Sequence, residues 1–188
     1  MLSAECADKD VIDTILRQID TPAVNEASAA IRVLPATEQD TSLILSFIKS
    51  LAEYERLADA CIATEEAIRH SLFDEKPAAE VLLAYSGDKP VGFALFFHNY
   101  STFLAARGLY LEDLFVIPEA RGQGAGYALL SALAEIALSR DCGRMEWSVL
   151  SWNQLAIDFY LRIGAVPLDD WRTYRLMGEP LRRLAGRA

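Results

Sequence analysis

The chain has 188 residues, with 18 basic and 27 acidic side chains and a formal net charge of −9. That length suits one domain able to bury about 70% of its unfolded surface, so it needs neither a disulfide nor a metal staple. A 52% hydrophobic, 24% charged composition excludes a disordered or collagenous chain, no apolar run reaches the ~18–20 residues of a membrane span, and the acidic balance disfavours nucleic acid and anionic lipid as partners.

The start, Met1 to Asp8, has neither the basic nor the apolar stretch of a secretory leader, so the expectation is a cytoplasmic protein. Cys6, Cys61 and Cys142 are odd in number and widely spaced, which fits reduced thiols. With only His70 and His98 beside them no zinc spacing can be assembled, and no metal is expected. Residues 1–29 form an appendage in which Val11, Ile12, Ile15, Leu16 and Ile19 alternate with acids. That pattern predicts one short amphipathic helix, broken at Pro22.

The body, residues 30–188, opens with a strand from Ala30 to Pro35. Thr37 then caps a helix carrying Leu43, Ile44, Phe47, Ile48 and Leu51 at helical spacing as far as about Tyr54. Thr64-Glu65-Glu66 opens a second helix through Phe73. Strands are predicted at Glu80–Tyr85 and Pro90–His98, joined as a hairpin by Ser86-Gly87-Asp88-Lys89, and at Leu109–Ile117. After the glycine-rich turn Arg121–Gly126 comes a helix through Leu129, Leu130, Leu133 and Ile136, then a strand at Met145–Leu150. Asn153 caps a last helix through Leu161, ended by Gly164, and Trp171–Met177 is predicted as a closing strand or hairpin. This order predicts a single α/β (α+β) domain around a mixed sheet.

A strand followed by glycines and a helix presents backbone N–H groups, and the positive end of the helix, to an anion. In an acidic protein such a turn offsets repulsion of a phosphate ligand, and Arg121 either adds a charged contact or braces the loop. Ala125-Gly126-Tyr127 does not supply the Gly-Lys-Ser/Thr ending of a P-loop. Nor does the third glycine fall where a dinucleotide fingerprint needs it.

Arg121-x-x-Gly124-x-Gly126 after Leu114–Pro118, with Asn153-x-x-Ala156-x-x-Phe159-Tyr160 downstream, resembles the GNAT superfamily of acetyl-CoA-dependent N-acetyltransferases. Ala52-Glu53-Tyr54-Glu55, Tyr110–Val116 and Trp152-Asn153 are most like the diamine (spermidine/spermine) acetyltransferase group. The resemblance covers about residues 30–178. It implies a mostly antiparallel central sheet flanked by helices, acetyl-CoA as co-substrate and a homodimer, for which Val91–Phe97 and Trp171–Met177 are either interface or interior. It also implies that Leu114, Phe115 and Val116 lie along the pantetheine arm and that Arg121, Gly122, Gln123, Gly124, Ala125 and Gly126 hold the pyrophosphate. By the same likeness Asn153 contacts the cofactor and Tyr160 sits beside the thioester sulfur.

Acetyl transfer needs a neutral amine and a proton for the departing thiolate. An alkyl ammonium with a pKa near 10.4 leaves roughly one amine in a thousand neutral at pH 7.4, so some group must accept its proton. Tyr160 is the expected acid, against the alternative of a core aromatic. Glu112 and Asp113 interrupt an apolar strand. In a regular strand they point to opposite faces, so at least one enters a packed region or cleft. Glu112 is the expected amine-facing carboxylate or water-relayed base, against the alternative that one of the pair is an exposed edge residue and the other is salt-bridged. Tyr54, Glu55, Asp113 and Trp152 are the candidate acceptor-binding residues. Arg56-Leu57-Ala58-Asp59 is weakly acidic, which favours a short diamine or a lysine-like amino acid over long polyamines, and Arg56 could read a substrate carboxylate. His98 and His70 are lesser candidates as bases, and Cys142 lacks basic neighbours for a nucleophilic role. The function expected is therefore acetylation of a small primary amine by direct attack in a ternary complex. The alternatives are a protein or peptide N-acetyltransferase and a non-catalytic acyl-CoA-binding module.

Overall fold

The computed structural model describes residues 30–187, so the helix expected within 1–29 lies outside the described residues. The described chain falls into two compact units, one within Ala23–Ser148 and one within Val149–Ala188.

The first unit is a five-stranded sheet in the order β1 (Ile31–Pro35), β2 (Glu80–Ser86), β3 (Lys89–Ser101), β4 (Ala106–Val116), β5 (Met145–Trp147). The first four strands run antiparallel, and β5 joins parallel to β4. The hairpin between β2 and β3 turns on Gly87 at φ +60°, a conformation that glycine adopts without steric penalty. Thr37 and Asp40 cap each other reciprocally across a 3₁₀ turn, where Thr37 N–H donates to Asp40 Oδ2 at 2.7 Å. From there α1 runs Thr41–Tyr54, and α2 (Glu65–Phe73) starts from a Thr64 hydroxyl that accepts from Ala67 N–H at 3.2 Å. The third helix of this unit, α3, spans Ala125–Ser139.

Both faces of the sheet are covered. On one, Ile44, Leu45 and Phe47 of α1 and Ile68 and Leu72 of α2 pack on Val81, Leu83, Phe93 and Phe115. Phe47 stacks on Phe93 with ring centres 5.6 Å apart and meets Phe115 at 6.3 Å. Each fully buried phenyl ring contributes about 2–3 kcal/mol. On the other face, α3 packs against β1 to β4 and buries Leu129, Leu130, Leu133 and Ala137. The stretch Val91–Phe97, considered above as a possible interface, is interior: Phe93 and Phe96 are buried in a strand paired on both edges.

One irregularity decides the position of the carboxylates. Leu95 pairs with Asp113 and the next residue, Phe96, pairs with Leu111, so Glu112 is an extra residue bulging out of β4. A bulge reverses the in-and-out alternation beyond it. Leu109 and Leu111 share the face of Phe96, whereas Asp113 and Phe115 share the face of Phe93, which α1 and α2 cover. The regular strand expected from the sequence is replaced by one with a switch at Glu112.

In the second unit, Asn153 caps α4 (Gln154–Arg162) by accepting from Ala156 N–H at 3.3 Å, and Gly164 ends it at φ +86°. A short helix, α5, follows at Gly178–Leu184. The closing strand expected at Trp171–Met177 is not formed; the segment carries no ladder, and Trp171 and Tyr174 are exposed. A strand exists only by pairing, and the described residues of this unit contain no other strand. Local pattern alone cannot supply the partner.

Candidate active site

The end of α1, the second half of β4 and the loop before α3 converge within the first unit. The β4–β5 ladder stops at Leu111–Trp147, while β4 continues to Val116 paired to β3 alone. Among the described residues, Asp113 to Val116 thus have a ladder partner on one edge only. Gly92 lets β3 approach this stretch closely: a Cβ there would stand 2.5 Å from the carbonyl oxygen of Phe115.

After Pro118–Ala120, a single 3₁₀ turn, the chain enters the glycine loop. Gly122 (φ +73°) and Gly124 (φ +90°) adopt left-handed conformations that a side chain would strain. Nothing stands within 4 Å of where their Cβ atoms would be, so the loop borders open space. Gln123 braces the loop by donating from Nε2 to the Glu119 carbonyl at 2.9 Å. Gly124 is the N-cap of α3, followed by the buried Ala125 and by Gly126 in the first turn. No capping side chain occupies the helix start. Exposed amides, a fifteen-residue helix with its positive end foremost and open space in front suit a pyrophosphate.

The Arg121 side chain reaches back from the loop to β4 and α1. Its Nε–H donates to the Val116 carbonyl at 3.0 Å, and its guanidinium carbon lies 4.6 Å from the Tyr54 ring centre and 5.8 Å from that of Phe115. The side chain is a brace, stacked on two rings. Tyr54 is the last residue of α1, and Glu55 is its C-cap. Arg56 follows at φ +61°, where glycine is usual, with its N–H on the Glu53 carbonyl at 3.0 Å and the Leu57 N–H on the Ala52 carbonyl at 2.8 Å. A non-glycine residue in this region costs about 1–2 kcal/mol, and such strain gathers at functional sites.

Three carboxylates surround this helix end electrostatically. Asp113 is the most perturbed: burial, helped by the charges of Glu112 and Glu55, pushes its pKa from 3.8 up to about 6. Burial also raises Glu55. Glu112, the bulged residue, is exposed, so the carboxylate that enters the packed region is Asp113. Leu114 and Val116 are half-buried and Phe115 is buried.

Trp152, Asn153 and Tyr160 belong to the second unit. Trp152 is half-exposed, and the Asn153 side chain serves as the cap of α4. Tyr160 meets the Phe159 ring at 5.6 Å, and burial pushes its hydroxyl up to about 12. The histidines lie elsewhere in the first unit: His70 pairs with Asp74 on α2, and burial lowers the His98 pKa. The bulge and the Arg121–Tyr54 stack had no signature in the linear sequence, because both depend on contacts between distant segments.

Residues 47–165 match the Acetyltransferase (GNAT) family. The chain is 40% identical over 170 residues to a thialysine N-epsilon-acetyltransferase from Sus scrofa, covering 85% of this chain and 99% of that protein. It is 31% identical to an L-ornithine N5-acetyltransferase from Arabidopsis thaliana, covering 81% of this chain and 87% of that one. Among solved structures, an integron cassette protein from the mobile metagenome of V. cholerae is similar at a TM-score of 0.69 and 31% identity, covering 82% of this chain and 97% of that one. With a glycine loop opening a helix, a bulged strand ending beside it and these likenesses over most of its length, the chain belongs to the GNAT acetyltransferase family and is an N-acetyltransferase.

Proposed function

We propose that the protein acetylates the terminal amine of a small, lysine-like amino acid or short diamine, using acetyl-CoA. The observation that carries the acceptor class is the placement of Asp113 by the β4 bulge, in a field of two further carboxylates at the end of α1. A compact anionic cluster recognises one ammonium group well. The names of the thialysine and ornithine relatives support the same class.

When bound, acetyl-CoA supplies a thioester carbonyl for the amine to attack and a thiolate to leave. The loop amides of Gly122 to Gly126 hold its pyrophosphate, and the one-sided edge from Leu114 to Val116 offers backbone groups to the pantetheine arm. Asp113 and Glu55 attract the substrate ammonium. Asp113 accepts its proton, with the exposed Glu112 passing the proton on to water. A carboxylate with a pKa near 6 is better suited to this work at neutral pH than one near 4. We assign the Tyr160 hydroxyl as the acid that protonates the leaving thiolate; its pKa of about 12 keeps it protonated throughout the working range. Asn153 and Trp152 complete the cofactor and acceptor contacts in this reading. Arg56 reads the α-carboxylate of an amino-acid substrate.

We further propose a homodimer of cytoplasmic location with residues 30–188 as the catalytic domain. The exposed apolar run of Val166, Leu168, Trp171, Tyr174 and Met177 supports pairing with a second copy. Among the described residues, no helix is long and apolar enough to cross a membrane.

Thiol release from acetyl-CoA with putrescine, spermidine, lysine, thialysine and a basic peptide tests the function. The expected result is turnover with thialysine or lysine above spermidine, and a loss of 10²-fold or more in kcat for Tyr160→Phe. Turnover with the peptide alone, or full activity in Tyr160→Phe, contradicts the substrate class or the acid assignment respectively.

A further inference from the structure

Arg121 lies at the start of the loop assigned to the pyrophosphate, yet its side chain reaches α1. The guanidinium carbon sits 4.6 Å from the Tyr54 ring centre, while Nε–H holds the carbonyl of Val116, the last residue of β4. Three segments therefore meet on one side chain: the glycine loop, the end of β4 and the helix end that carries Glu55. That helix end is itself unusual. It closes with Arg56 in the left-handed region, a conformation held by surrounding contacts. A displacement of the loop on binding an anion would pull on the stacked guanidinium and, through Tyr54, on the helix end that carries Glu55.

We propose that Arg121 is a positioning residue that couples occupancy of the glycine loop to the acceptor end of α1, so that cofactor binding raises the affinity for the amine. The inference rests on the function proposed above. Coupling between two sites is reciprocal, and coupling free energies commonly correspond to factors of 5–150. The stack is specific to a planar cation on an aromatic ring, which separates Arg121 from a simple electrostatic role.

The test measures binding of thialysine by calorimetry with and without saturating CoA, which cannot turn over. Wild-type protein is expected to bind thialysine at least about fivefold more tightly with CoA present. Tyr54→Leu and Arg121→Lys should bring that ratio close to one. Tyr54→Phe, which keeps the ring, should preserve it. Arg121→Lys retains the charge and supplies the decisive variant if Tyr54→Leu does not fold, as judged from its melting curve. A ratio unchanged in Arg121→Lys overturns the coupling, even with catalysis intact. A wild type that binds CoA but none of the panel amines, and turns none over, refutes the proposed function and the coupling with it.

Discussion

The two halves of β4 are built for different ends. From Ala106 to Leu111 the strand is paired on its β3 edge and, from Leu109, to β5 as well. It is braced there by a polar network in which Asn99 Nδ2–H donates to Glu146 at 3.0 Å and Arg144 pairs with the same carboxylate at 2.9 Å. Gly108, directly opposite Asn99, leaves room for that amide. Beyond Glu112 the partner on one edge is gone, the alternation has switched face, and a half-buried aspartate is held with a raised pKa. The first half, paired on both edges from Leu109 to Leu111, fixes the frame. The second has a ladder partner on one edge only among the described residues and carries a carboxylate with a raised pKa, a combination that gathers at functional sites.

Asp113→Asn should sharpen this contrast most. It is expected to lower kcat/KM by about 10²-fold, the scale of losing a positioned base, while raising stability. Folding lifts the Asp113 pKa from 3.8 to about 6, so the folded protein holds this proton more tightly than the unfolded chain. The ionised group consequently weakens the fold fully above about pH 6, and the penalty fades as pH falls from 6 toward 4. Removing the charge should add about 1–2 kcal/mol at pH 7.5, after allowing for partial solvent screening. A melting temperature that falls in Asp113→Asn would break the contrast.

Gly108→Ala should do the reverse. A Cβ there would meet Asn99 Oδ1, at the end of a side chain that swings aside only by giving up its bond to Glu146, so stability should fall by about 1–2 kcal/mol, or about 2–8 °C in Tm. At a temperature where the variant remains folded, kcat should match the wild type. Glu112→Gln is expected to cost about tenfold in kcat, less than Asp113→Asn, because the bulged carboxylate is exposed and hands its proton to water. A larger loss than in Asp113→Asn would restore Glu112 as the principal base. The smallest effect should be that of Arg56→Ala, with a KM about fivefold higher for thialysine and unchanged for putrescine, which has no carboxylate to read.

Much of the frame was legible in the chain. Thr37, Thr64 and Asn153 announced the helix starts, and Gly87 and Gly164 the turn and the helix end, because caps and turns are local chemistry. The glycine loop and its helix were equally readable. The bulge was not. Its strand is buried on both faces, so Leu109, Leu111, Leu114 and Phe115 read the same whether or not the alternation slips at Glu112. The chain alone therefore does not say which of the two carboxylates enters the packed region. The aromatic stack under Arg121 joins residues 67 positions apart in the chain (121 minus 54), and no periodicity carries such information. Trp171–Met177 shows the opposite failure: its composition suits a strand, but pairing is decided by a partner that local pattern does not name.

The most direct test of the central claim is the pH dependence of kcat/KM with thialysine for the wild type and Asp113→Asn between pH 4.5 and 9. The wild type is predicted to show an additional acid limb with a midpoint near pH 6, where Asp113 takes up its proton, and the variant to lack it. An acid limb that persists unchanged in Asp113→Asn would contradict the assignment and move the proton acceptor to another group.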